Sequence, residues 1–161
     1  MLDPPPGYTQ EEWDSYLRDP CGWCIRELGS ADRNVRDNAA DILRGLGRDA
    51  EPALPSLVAH FQDDDRGVRL ACMHAVGEIV GATGAGVDAC ARALGERLDD
   101  PDPEARALAA YGLGRCGLAA ATWVPRLLER LTDRDAEVRS AVETALTRIA
   151  RAATGSSTRG A

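Results

Sequence analysis

Apolar residues recur three to four positions apart along this chain, in stretches of about fifteen residues, which is the periodicity of helices with one buried side. Each of four such stretches is opened by the same polar phrase. It reads Asp32-Arg33-Asn34-Val35-Arg36, Asp65-Arg66-Gly67-Val68-Arg69, Asp102-Pro103-Glu104-Ala105-Arg106 and Asp135-Ala136-Glu137-Val138-Arg139, at spacings of 33, 37 and 33 residues. A repeat of that length predicts stacked helical units sharing one continuous core. The second helix of each unit, B1 to B4, is expected near 33–47, 66–81, 103–117 and 136–151. The motif aspartates suit their N-caps, and Pro103 suits a first turn, where no N–H is needed. First helices, A1 to A4, are expected near 20–29, 52–62, 87–98 and 122–131, ending on the equivalent residues Leu28, Phe61, Leu98 and Leu131.

The ends of the chain read differently. Residues 1–8 are proline-rich, and Thr9-Gln10-Glu11-Glu12 has capping-box spacing ahead of Trp13, Tyr16 and Leu17. An N-terminal extension with a capping helix is therefore expected over 1–19. The repeat domain follows over 20–152, in units of about 20–50, 51–83, 84–119 and 120–152, and a flexible tail over 153–161. The four extra residues of the long interval fit a loop at Gly81-Ala82-Thr83-Gly84-Ala85-Gly86.

Cys72-Met73-His74-Ala75-Val76-Gly77-Glu78-Ile79 and Ala109-Ala110-Tyr111-Gly112-Leu113-Gly114 continue the motif. Together these residues resemble the HEAT repeat, in particular its short bacterial PBS-lyase HEAT-like type, over roughly 20–151. The first repeat departs at Ile42-Leu43-Arg44-Gly45-Leu46-Gly47, and the last has Thr147 where glycine is usual. The resemblance implies an all-α, right-handed α-solenoid of four helix pairs with an N-terminal helical cap. It also implies that the motif Asp and Arg residues form an inter-repeat ladder, so that Arg69→Ala lowers the melting temperature. B helices line the inner, concave surface in proteins similar to this one.

With the Val slot of each B helix as position zero, positions 0, 4, 5, 7, 8 and 11 are apolar in nearly every repeat and must pack. Positions 2, 3, 6 and 10 share the opposite arc and vary. That arc holds Asp37, Asn38, Asp41 and Gly45, then Leu70, Ala71, His74 and Glu78, then Ala107, Leu108, Tyr111 and Arg115, then Ser140, Ala141, Thr144 and Arg148. It runs from acidic to basic over an apolar middle, as expected of a binding face. Candidate ligand-binding residues are Asp37, Asn38, Leu70, Glu78, Leu108, Arg115, Thr144 and Arg148. Position 6 sets Asp41, His74, Tyr111 and Thr144 in register. If the chain is an enzyme, Asp41 would orient His74 and Tyr111 would donate a proton. His74 and Glu78 also stand at i, i+4 and can pair within their helix.

Composition narrows the function. The net charge of −7 opposes bulk nucleic-acid binding, where phosphate neutralisation dominates. All 19 basic residues are Arg, which removes any P-loop lysine or lysine Schiff base. No apolar run approaches a membrane span, and Met1–Pro6 lacks the layout of a signal peptide, so a cytoplasmic location is expected. Of five cysteines, Cys21-Gly22-Trp23-Cys24 has redox or half-zinc spacing. No second such pair completes a zinc set, and packing is the simpler use. No metal and no cofactor are expected. Two classes remain. The first is a scaffold holding a protein segment, peptide or small anionic or amphipathic ligand on its concave B-helix face. The second is a small lyase, isomerase or cyclase at the same place, with Arg115 and Arg148 gripping an anionic group. The resemblance lends the second some weight, since phycobilin lyases and alkylpurine DNA glycosylases build active sites on related stacks. The oligomeric state is left open.

Overall fold

A computed structural model describes residues 3–4 and 7–157. Among these the regular elements are all helical. The cap helix α1 spans Gln10–Arg18, with both halves of its capping box formed: Thr9 accepts from the Glu12 N–H while the Glu12 carboxylate accepts from the Thr9 N–H at 2.7 Å. The first repeat pairs α2 (Pro20–Glu27) with α3 (Arg33–Leu46), and the second pairs α4 (Leu54–Ala59) with α5 (Arg66–Thr83). The third pairs α6 (Val87–Gly95) with α7 (Pro103–Cys116), and the fourth pairs α8 (Val124–Arg130) with α9 (Ala136–Ser157). The B helices α3, α5, α7 and α9 pack in series, each against the next, and α1 packs on α2. This is the α-solenoid that the period predicts.

Each B helix starts where the sequence places it. The side chains of Asp32, Asp65, Asp102 and Asp135 accept from backbone N–H groups in the first turns of α3, α5, α7 and α9, removing donors that would otherwise stay unpaired. The A helices are shorter than expected, because 3₁₀ turns take part of the chain. Gly47–Ala53 and Gly117–Trp123 precede α4 and α8, while His60–Gln62 and Glu96–Asp99 follow α4 and α6. Two boundaries move. Gly81 does not open a loop: α5 continues to Thr83, and the turn is Gly84-Ala85-Gly86, where Gly84 and Gly86 take φ of 70° and 62°. Helix α9 also runs on to Ser157, past the expected start of the tail at 153. Residues 158–161 lie outside the described residues.

The core is aliphatic and small. Leu28, Leu43, Leu57, Leu94, Leu98, Leu113 and Leu127 are fully buried, with Ala39, Ala75, Ala109 and Ala110 between them. Small residues let the axes approach: a Cβ on Gly114 would stand 2.9 Å from the Ala145 Cα of α9. No helix among the described residues is long and apolar enough to cross a membrane.

The motif arginines do two jobs, not one. Arg36, Arg69, Arg106 and Arg139 each donate to two carbonyls of the turn before their own helix, at 2.7–3.2 Å. Only Arg36 and Arg106 also reach the next repeat. They grip Asp63 and Asp133 in two-pronged pairs at 2.8–2.9 Å. The acceptor is the aspartate two residues before the motif aspartate. Across the long second interval the link is made by Arg66, which takes Asp102 at 2.6 and 3.0 Å and Glu104 at 2.8 Å. Arg33 similarly reaches Asp65 at 3.0 Å. These pairings engage Asp63, Asp65, Asp102 and Asp133 of the acidic inter-helix turns. Among the described residues no cluster of three or more His, Cys, Asp or Glu side chains could hold a metal ion.

Candidate functional site

Three side chains of the B-helix face converge on the Glu78 carboxylate, and a fourth lies over one of them. His74 and Glu78 stand one turn apart on α5, and Tyr111 and Arg115 stand one turn apart on α7. Tyr111 donates its phenol hydrogen to Glu78 Oε1 in a short bond. Arg115 Nη2 lies 3.5 Å from Glu78 Oε2, and His74 Nε2 lies 4.0 Å from Oε1. The His74 and Tyr111 rings meet edge to face at 6.0 Å. From α9, the Arg148 guanidinium sits over the Tyr111 ring at 5.6 Å, within cation–π range.

Two glycines make this approach feasible. A Cβ on Gly77 would come within 3.2 Å of the Tyr111 ring, and one on Gly81 would stand inside the Arg115 guanidinium. The same one-turn spacing that pairs Tyr111 with Arg115 thus has a glycine counterpart on α5. Burial and the bond to Glu78 raise the Tyr111 pKa above the ordinary phenol value, so the hydroxyl stays a donor at neutral pH. Beside the cluster, a groove of about 310 Å³ is lined by His74, Ala107, Leu108, Tyr111 and Ala141, with Glu104 and Glu137 at one rim. The chemistry on offer is an apolar strip with a fixed network of donors and acceptors along it.

The other candidates fall elsewhere. Asp41 takes Arg44 of its own helix at 3.1 Å, so the carboxylate beside His74 is Glu78 and not Asp41. Thr144 donates back to the Ser140 carbonyl at 3.0 Å, the usual resting place of a helical threonine. Leu70 is only 8% exposed and belongs to the core, because α5 has B helices on both sides and its free arc is narrow. Asp37 lines a small polar cleft with Arg33, Asn34, Asp65 and Arg66, and burial followed by the Asp41 charge raises its pKa. Asn38 faces a separate cavity under the cap, lined by Tyr8, Trp13, Tyr16 and Trp23. The arc reading missed that cavity because it counted B helices alone. Four of the seven aromatic residues fall within positions 8–23, and that clustering was the available signal.

The surroundings of the Cys21–Cys24 pair disfavour the thiolate. Cys24 is fully buried, and desolvation pushes its thiol up to about 12; Cys21 is raised as well, by burial and by Asp19. The Asp19 side chain caps α2 at the Gly22 N–H at 2.9 Å, and Trp23 enters the core.

Comparison with known proteins addresses the repeat directly. Residues 91–157 match the family model described as HEAT repeats. Over those residues the chain is similar to HEAT repeats. No curated protein matches it in sequence. Among solved structures, an engineered protein aligns with a TM-score of 0.71 at 23% identity, covering 81% of this chain and 62% of that one. The chain thus spans less than two thirds of that protein's length. A designed armadillo repeat protein in complex with the peptide (KR)4 aligns with a TM-score of 0.71 at 15% identity, covering 87% of this chain and 68% of its own. The complex of CpcE and CpcF of phycocyanin lyase from Nostoc sp. PCC7120 aligns with a TM-score of 0.66 at 22% identity, covering 92% of this chain and 56% of that chain. At these identities the likeness establishes the repeat-solenoid fold.

Proposed function

We propose that this solenoid is a binding scaffold that holds an extended segment of a partner protein along its B-helix face, and that it works in the cytoplasm. The observation that carries the reading is the groove beside the Glu78 cluster. Its floor is Ala107, half-buried Leu108 and Ala141, and its wall is a network already bonded within the protein. Its central carboxylate is held by Tyr111 and Arg115, while Arg115 Nε and Arg148 Nη1 are buried without a partner among the described residues. A surface held in place loses little entropy on binding, and an apolar strip supplies the gain. The acidic side chains Asp37 and Asp41 stand at the α3 end and Arg148 at the α9 end. With Glu104 and Glu137 along one rim of the groove, this polarity favours a segment with basic residues toward α3 and along that rim, apolar residues in the middle and an acidic residue near Arg148. Two of the similar solved structures are themselves complexes, one with a peptide and one of CpcE with CpcF, which supports the class of ligand. The cytoplasmic placement is supported by five cysteines that are free, four of them buried.

The acid–base alternative is less well supported. Its orienting carboxylate, Asp41, pairs with Arg44, and the carboxylate that does approach His74 is committed to Tyr111 and Arg115. The test is selection from a displayed random-peptide library, comparing wild type with Leu108→Glu at matched melting temperature. The expected result is a consensus with the stated polarity whose affinity falls at least about tenfold on Leu108→Glu, as for a central apolar anchor. Equal affinity for the two baits, or no enrichment at all with wild type, would overturn the proposal.

A further inference from the structure

The cavity under the N-terminal cap has the makings of a second, chemically distinct site. It measures about 220 Å³, and four aromatic rings line it. Tyr16 meets Trp23 at 83° with centroids 5.6 Å apart, and Tyr8 meets Trp23 at 59° and 5.8 Å. Trp13 stacks on Tyr16 at 15° and 5.3 Å. Trp23 thus meets two rings at steep angles, Trp13 extends the stack on Tyr16, and the four rings together line one side-walled space, an aromatic box.

The charge around the box selects its ligand. Among the described residues Glu12 is the one charged residue of the lining, and no arginine is part of it. Glu12 Oε2 is held by the Thr9 N–H and hydroxyl at 2.7 and 2.8 Å, which fixes the carboxylate in place, while its Oε1 has no partner among the described residues. The Trp13 indole N–H is buried with no acceptor among those residues, and Asn38 brings an amide to the same cavity. Aromatic faces carry negative quadrupoles, and a carboxylate beside them adds to the field in a chain of net charge −7. A strongly hydrated ammonium would lose too much water on entry; guanidinium and alkylated ammonium groups are weakly hydrated and present flat or methyl-covered surfaces.

We propose that this aromatic box binds an organic cation, a guanidinium or an alkylated ammonium group, with Glu12 as its counter-ion and the Trp13 N–H available to an acceptor next to the charge. The site is separate from the groove beside Glu78, and its ligand does not depend on what the B-helix face holds.

Two isosteric pairs test it on the full chain. Choline is compared with 3,3-dimethylbutanol, and N-acetylarginine amide with N-acetylcitrulline amide, by following the indole N–H resonances of the three tryptophans of 15N-labelled protein. The expected result is saturable movement of Trp13 and Trp23, with Trp123 unmoved, and binding of the charged member roughly 3- to 30-fold tighter than its neutral isostere. Which cation binds more tightly identifies the source, a modified amine or an arginine side chain. Glu12→Gln should weaken the cation by a similar factor with the melting temperature held, since Gln also serves the third position of a capping box. Equal affinity for charged and neutral members would show a merely apolar pocket and overturn the proposal. The absence of saturable shifts with both cations would do the same. The isostere comparison stands even where Glu12→Gln disturbs the cap.

Discussion

Asp133 stands with only 4% of its side chain exposed, between the Arg106 fork and the Arg130 guanidinium 3.8 Å away. Those partners hold its carboxyl below the usual carboxylate range, Arg106 first, and Asp63 is held down in the same way by Arg36. A carboxyl whose folded pKa is depressed contributes stability that is fully present above its unfolded pKa of about 3.9 and is lost as pH falls through the folded value. The unfolding free energy should therefore hold from neutral pH to about pH 5 and drop below about pH 4, with Asp63→Asn/Asp133→Asn flattening the drop. Asp133→Asn alone should cost about 2–3 kcal/mol in urea melts at pH 7, toward the low end for a broken buried pair because Arg106 keeps its two carbonyl partners. Exposed Asp64→Asn should lie within about 0.5 kcal/mol of wild type. The thiols obey the same electrostatics. Cys24, Cys72 and Cys116 are pushed up to about 12 and Cys90 to about 11. Native protein at pH 8 should thus react with an aromatic disulfide at Cys21 alone, and slowly, whereas unfolded protein should release all five equivalents.

Helix pairs are set by where small residues let backbones meet. Gly114 faces Ala145 across the α7–α9 contact, and a methyl there has backbone 2.9 Å away with nowhere to move. Gly114→Ala should destabilise the protein by about 1–3 kcal/mol, despite the better helix propensity of alanine, and calorimetry checks it. Gly81→Ala differs in kind, because the atoms in its way are the movable end of Arg115. It should leave the melting temperature within a few degrees while detaching Arg115 from Glu78, visible as a change in the Arg115 side-chain NMR signals. At this scale the sequence was most informative. The 33-residue period located four B helices and their caps, because each cap is a local bond between an aspartate and an N–H two or three residues on. The ladder was legible in residue type but not in partner: Arg36 reaching Asp63 requires the offset between stacked repeats, and no local pattern carries that offset. Likewise i, i+4 spacing offered His74 to Glu78, while Tyr111 bonding Glu78 depends on how closely α5 and α7 meet at Gly77.

As a whole molecule, the chain is a row of repeats in which each B helix touches only its neighbours, so stability builds from unit to unit and recognition surfaces run along the row. The aliphatic core follows from composition, and the order of the residues sets four of the seven aromatics at the N-terminal end. The acidic-to-basic course of the B-helix face was also readable, although the structure divides it into the Glu78 cluster, the Asp37 cleft and the aromatic cavity. That division depends on the cap and on side chains meeting between repeats. The central claim is that binding runs along the B helices. The most direct measurement is the affinity of the selected peptide for two sets of single variants: His74→Ala, Leu108→Glu and Arg148→Ala on the B-helix face, against Glu96→Ala, Arg126→Ala and Leu128→Glu on the opposite elements. The account predicts losses of about threefold to more than tenfold in the first set and changes under about twofold in the second. Losses confined to the second set would contradict it.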